Sequence, residues 1–107
     1  MNPTDRLGRL LAMVEQDPRD TFCLYGVAQE HVKRGDTAQA LAWFDRTLGV
    51  DPNHAYAWFH KAKVLHGAGR REEAIAALRS GLDAARRSGD GKAIGEIEGW
   101  LEDLGAL

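Results

Sequence analysis

The sequence predicts an all-α chain of stacked helical hairpins, and three observations carry that prediction. Apolar residues recur at spacings of three and four, as in Trp58, Ala62 and Leu65 and again in Ala74, Ile75, Leu78 and Leu82, which is the period of an amphipathic helix. Glycine and proline punctuate these runs at Pro18, Gly35, Pro52, Gly67 and Gly69, where a helix must turn or stop. The sequence also matches itself when shifted by 34 residues: Asp17-Pro18 falls on Asp51-Pro52, Phe22 on Tyr56, Tyr25 on Phe59, Ala28 on Ala62, Gly35 on Gly69 and Ala40 on Ala74. Three further columns recur three times: Leu7, Leu41 and Ile75; Leu10, Phe44 and Leu78; Val14, Leu48 and Leu82. One hairpin cannot bury its own apolar sides, so a repeated hairpin implies stacking into a solenoid.

The segment Tyr56 to Leu82 shows the unit most clearly. Small Ala62 and Ala74 let the two helix axes approach, while Trp58, Leu65 and Leu78 supply bulk. A 34-residue helix-turn-helix unit resembles the tetratricopeptide repeat family, whose pattern is W-x2-L-G-x2-Y, then A-x3-F, then P. The first full repeat matches it with Leu24, Val27-Ala28, His31, Ala40, Phe44 and Pro52, and the second with Trp58, Lys61-Ala62, Leu65, Ala74 and Leu78. The resemblance covers Leu7 to about Arg87. It implies a right-handed α-α superhelix of antiparallel hairpins, with about six helices in a single domain: a capping helix in 1–17, repeats at 21–54 and 55–88, and a second capping helix in 89–107.

The elements follow in order. Thr4 is placed to cap the first helix, with Asp5 at its positive end, and Leu7, Leu10, Leu11 and Val14 form its apolar face. That helix must stop before Pro18. A second helix runs from about Asp20 to Arg34 and closes at Gly35 in the left-handed conformation. Asp36, with Gln39 three residues on, reads as a capping box, and the helix it opens turns Ala40, Leu41, Phe44 and Leu48 inward up to Val50. Asp51-Pro52-Asn53 breaks the chain and starts the Tyr56 helix. Gly69-Arg70 is a weaker cap, with Glu72 and Glu73 well placed in the first turn. No proline stands near Arg86, so the next helix is expected to run on to Arg87 before Ser88-Gly89-Asp90-Gly91 ends it. A last helix carries Ile94, Ile97, Leu101 and Leu104 on one face and Glu96, Glu98, Glu102 and Asp103 on the other. It is expected to cover the second repeat, with Trp100 at the edge of the contact, although Lys92, Gly95 and Gly99 depart from the family's first-helix columns.

Composition narrows the function classes. The chain has 107 residues, 44% of them hydrophobic and 28% charged, an ordinary balance for a soluble folded domain. No apolar run approaches the roughly 18 residues that span a bilayer, and the N-terminus lacks a signal pattern; a cytoplasmic location is expected. The single cysteine, Cys23, excludes an internal disulfide and fits a reducing compartment. A net charge of −2 gives no general attraction to nucleic acid or anionic membrane, so neither is expected as a partner. The charge is uneven. From Thr21 to Ser88 ten basic residues face seven acidic ones, whereas after Ser88 Lys92 stands against Asp90, Glu96, Glu98, Glu102 and Asp103.

Signals for catalysis are weak. His31, His54, His60 and His66 lack the i, i+4 pairing that aims two imidazoles at one metal, so no metal and no cofactor is expected. His31 takes the column where the family carries Tyr, which suits packing against the paired helix. Cys23 has no base beside it in sequence and reads as an inert thiol. Gly67-Ala68-Gly69 lacks the Lys-Ser/Thr of a phosphate loop. The chain is expected not to be an enzyme.

The family resemblance instead implies a concave groove lined by the first helix of each hairpin, which binds a peptide or helix of a protein partner. By register its lining is Phe22, Tyr25, Gln29 and Val32 in the first repeat, and Tyr56, Phe59, His60, Lys63 and His66 in the second. Paired aromatic rows beside an amide and a cation suit apolar side chains together with an acidic group. Two other readings stand beside this one. The rows are covered by the terminal helices, or they mediate homo-oligomerisation, pairing two copies as a homodimer across a two-fold axis. The family's carboxylate clamp is absent, because Tyr25, Gln29 and His60 hold positions where it needs Lys and Asn; chaperone C-termini are therefore not expected ligands.

Overall fold

The computed structural model describes residues 5–107, which form six α-helices. They are α1 (Arg6–Gln16), α2 (Thr21–Lys33), α3 (Thr37–Val50), α4 (Ala55–Gly67), α5 (Arg71–Ser88) and α6 (Gly91–Asp103). The helices fall into two compact units, one ending at Asp51 and the other beginning at Pro52. The all-α class is as the periodicity predicts, and no strand occurs among the described residues.

The first unit holds α1, α2 and α3. Asp5 caps α1 by accepting a hydrogen bond from the Gly8 amide at 2.7 Å, and that amide, more than the Arg34 guanidinium nearby, holds its carboxyl below the usual range. The cap expected at Thr4 lies outside the described residues. Leu7, Leu10 and Val14 of α1 are buried with Cys23, Leu24 and Val27 of α2, and Leu11, Trp43 and Val50 pack on this cluster at its edge. Gly26 permits the approach: a Cβ there would lie 3.2 Å from both methyl groups of Leu10. Polar contacts fix the register of the pair. Arg6 meets Glu30 at 2.8 Å, and Arg34 meets Asp5 at 3.3 Å. α2 and α3 form the first hairpin. Asp20 caps α2 through the Cys23 amide at 3.2 Å, Asp36 caps α3 through the Gln39 amide at 3.1 Å, and Ala28, Ala40 and Phe44 are wholly buried.

The second unit holds α4, α5 and α6. α4 starts at Ala55, just after the break at Asp51-Pro52-Asn53, and His54 is its N-cap, its Nδ1 accepting from the Ala57 amide at 3.1 Å. Asn53 instead accepts from Arg87 Nε at 2.7 Å. Arg70, the N-cap of α5, makes no side-chain capping bond and pairs with Glu73 at 2.6 Å. That is the weak cap the sequence indicates. α5 runs to Ser88 and closes at Gly89 with φ 69°, four residues longer than α3, as the missing proline requires. Ala62, Ala74 and Leu78 are fully buried in the α4–α5 hairpin.

α6 covers part of this hairpin, packing mainly on α5 and to a lesser extent on α4. Ile97 and Leu101 are buried as expected, and so is Ala93, which joins Ala55 and Ala85 in a cluster edged by Tyr56 and Ile94. Two arginines of α5 satisfy carbonyls at the end of α6, Arg71 donating to Leu104 and Arg79 to Ala106. Cations at a helix C-terminus also complement its dipole.

The tightest of the unit's glycines is Gly81, where a Cβ would fall 2.8 Å from Trp58 Cβ and 3.3 Å from Ile97 Cδ1. Gly81→Ala is expected to destabilise the protein by about 1–3 kcal/mol, the range for overpacking, which urea unfolding would measure. Removing residues 91–107 should lower the melting temperature and promote aggregation by exposing Ala55 and Ala85; unchanged melting and solubility would show that α6 is not a cap.

Candidate functional site

In the second unit, the residues that register assigns to a binding surface gather at one face of α4. Phe59 lies at its centre. Its ring meets Tyr56 at 6.2 Å and His60 at 5.5 Å, both edge to face, and the Lys63 ammonium stands 5.9 Å from its centroid, within cation–π range. α6 contributes a residue that the register argument left out. Trp100 packs edge to face on Phe59 at 5.5 Å and on His66 at 5.7 Å. Phe59, Lys63, His66, Gly67 and Trp100 line a shallow cleft of about 240 Å3. Its walls are aromatic, with Lys63 and His66 exposed at the rim.

A signal for Trp100 was available in the sequence, since it lies 34 residues after His66, which lies 34 after Val32. The long α5 and the glycines of α6 hide that column from a pattern centred on large apolar residues. α6 therefore does not seal the α4 row. It half-covers Tyr56 and Phe59 and supplies one wall of the cleft.

Burial and charge tune this face. His60 is held below the ordinary imidazole range, first by burial and then by the Lys63 cation, with Glu96 opposing and His54 adding to the depression. The Tyr56 phenol is pushed up, first by desolvation and then by the carboxylates of Glu96 and Asp90. At neutral pH the face thus presents neutral His60 and Tyr56 beside the cation of Lys63.

In the first unit the expected residues lie along α2. Tyr25 stacks at a tilt on Phe44 of α3, 6.0 Å between centroids, and its hydroxyl accepts from Gln29 Nε2 at 3.1 Å. Val32 is exposed, and Phe22 more so at 71%. Tyr25 and Gln29 are half-buried, so this row is a supported ledge with its polar groups already paired to one another.

Other candidate chemistry is accounted for locally. Cys23 is buried at 2% exposure, and desolvation, with Asp20 adding to it, pushes its thiol above the usual value, the opposite of activation. No group of three or more His, Cys, Asp or Glu side chains suited to a metal occurs among the described residues. No helix among them is long and apolar enough to cross a membrane.

Comparison with known proteins agrees with this architecture. The pattern of the tetratricopeptide repeat family matches residues 25–90. The chain is 27% identical over 108 residues to the photosystem I assembly protein Ycf3 of Acaryochloris marina, a match covering 88% of this chain and 63% of that protein, so the chain spans less than two thirds of that relative's length. The crystal structure of a tetratricopeptide repeat domain protein from Salinibacter ruber superposes with a TM-score of 0.74 at 30% identity, covering 82% of this chain and 98% of that one. The solution structure of a Bordetella parapertussis protein gives a TM-score of 0.81 at 28% identity over 95% of this chain and 89% of the other. A family pattern spanning more than half of the sequence, on helices that fold as that pattern requires, establishes that the chain belongs to the tetratricopeptide repeat family.

Proposed function

We propose that this chain is a non-catalytic adaptor that holds a peptide or helix of a partner protein in the α4–α6 cleft. Membership of the family makes the chain a protein-protein interaction module; the side chains add the choice of surface and of partner chemistry. The observation that carries the proposal is the cleft formed by Phe59, His66 and Trp100 with Lys63 at its rim. Edge-to-face rings offer an apolar seat for a side chain, and the ammonium of Lys63 favours a carboxylate beside it. Tyr56 and His60 flank this seat, and in the first unit Tyr25, Gln29 and Val32 of α2 offer a separate row of aromatic, amide and apolar groups. An assembly role, the one carried in the name of the Acaryochloris relative, suits a chain that offers such surfaces.

Binding can be tested with a fluorescent peptide display set varying one apolar position and one neighbouring acidic position. Wild type should select apolar-plus-acidic peptides, and Phe59→Ala/Trp100→Ala should lose at least about tenfold in affinity, since each ring is a hot-spot type of residue. Lys63→Glu should remove the preference for the acid while keeping that for the apolar residue. Equal affinity in the double variant, with an unchanged circular dichroism spectrum, would refute the assignment.

His60 gives a pH dependence of defined sign. Its folded-state pKa is lowered, so the unfolded chain binds the proton more readily, and stability falls as pH drops through the ordinary imidazole value. Between about pH 7.5 and 5.5, which brackets an ordinary His pKa near 6.5, wild type should lose more melting temperature than His60→Gln. Parallel curves would place the imidazole in water.

A further inference from the structure

Large exposed apolar side chains among the described residues are Met13, Phe22, Val32 and Leu107. Met13, at 52% exposure, and Phe22 share one depression of about 480 Å3 between α1 and α2, lined also by Arg6, Arg9, Leu10 and Ala12. Phe22 also begins the α2 ledge, but the α1 residues Arg6, Arg9 and Met13 belong neither to that ledge nor to the α4–α6 cleft.

Its position in the repeat register indicates what it would receive. Arg6, Arg9 and Met13 occupy the columns of Ala74, Ala77 and Gly81 in α5. On α5 that face is where α4 packs, as the contact of Gly81 with Trp58 and the Ala55 carbonyl shows. The equivalent face of α1 carries no helix among the described residues and remains open as an apolar, arginine-edged groove. A helix is thus the shape that fits it, and the two arginines call for an acidic one. Arg6 already meets Glu30 within its own chain, yet its side chain stays 52% exposed.

The same chain carries a helix of that description. By helical geometry the outer face of α6 runs through Gly91, Gly95, Gly99 and Glu102, with Glu98 and Asp103 on its flanks. A Cβ at any of these three glycines would meet nothing within 4 Å, so the face is open and flat, and Glu102 and Asp103 are exposed at its C-terminal end.

We propose that α6 of one copy docks antiparallel along the α1–α2 groove of a second copy, so that the chains associate head to tail. In that orientation Arg6 and Arg9, at the start of α1, lie against Glu102 and Asp103, at the end of α6. Met13 then faces the flat stretch around Gly95, where no side chain obstructs it, and Phe22 closes the edge. The antiparallel arrangement also sets the two helix dipoles favourably. Each copy carries one groove and one acidic helix, so the contact is heterologous and leaves a free face at each end, which generates oligomers rather than a closed two-fold dimer.

Sedimentation velocity of the wild-type chain, from low micromolar to near-millimolar concentration, should show association that grows with concentration and weakens with salt. A wild type that stays monomeric throughout overturns the proposal. Arg9→Glu and Glu102→Arg should each weaken self-association on the order of tenfold, equivalent to about 1.4 kcal/mol. Mixing these two variants should restore oligomers in which the two chains alternate, because the intact groove of one takes the intact helix of the other and the two reversed charges also face each other. Combining both changes in one chain should restore oligomers. Should Arg9→Glu lower the melting temperature, Phe22→Glu serves as the groove variant, and its mixture with Glu102→Arg should stop at one-to-one dimers, because that groove keeps Arg9 and repels the reversed helix. Association that survives all of these changes, or that is lost in Phe59→Ala instead, overturns the proposal in favour of another interface.

Discussion

The structure depends on how closely the two helices of a hairpin approach, and small residues set that distance. In the second hairpin Ala62 and Ala74 are fully buried, and Gly81 leaves so little room that a methyl group would fall 2.8 Å from Trp58 Cβ. Contact at this range gives many weak dispersion attractions and excludes water along the seam. Leu65 and Leu78 fill the space on either side. The first hairpin reaches the same result with Ala28 and Ala40 around Phe44. There the position equivalent to Gly81 is Thr47, wholly buried, whose hydroxyl donates to the Trp43 carbonyl at 2.9 Å. A polar side chain is accommodated at that column because its own helix satisfies it.

The surface proposed for binding follows from this constraint. A helix pressed against its partner along one stripe turns the opposite stripe outward, so Phe59, Lys63 and His66 present themselves where Ala62 and Leu65 are hidden. Half-buried aromatic rings on a rigid helix lose little conformational freedom on binding, which suits them to recognition. α6 contributes both to the packing and to the lining of the cleft. Ala93, Ile97 and Leu101 close the core while Trp100 reaches across to Phe59 and His66.

Most of the fold was legible in the residues, because the repeat samples each column more than once. Ala40 beneath Ala74, and Phe44 beneath Leu78, leave little freedom in assigning the inward faces. Caps were legible where an Asp stands at the boundary, as at Asp36. They were less so at His54, since histidine is an uncommon cap and Asn53 beside it is a common one. The face proposed for binding was legible on α4, where register names Phe59, His60, Lys63 and His66. The cleft wall was not, because Trp100 lies on a helix whose apolar pattern is diluted by glycine. The α1–α2 depression was hidden for a related reason. Periodicity marks Leu7, Leu10 and Val14 as inward but is silent on whether Met13 and Phe22 on the other side meet one another.

Cys23 is the sole sulfhydryl in the chain, and it sits sealed between α1 and α2 with its ionisation suppressed. Alkylating reagents need an accessible thiolate, so the native molecule behaves as though it were cysteine-free. A cysteine introduced on the rim of the cleft or on the outer face of α6 would then take a maleimide dye selectively, giving distance and mobility reporters on either surface without first stripping out the natural residue.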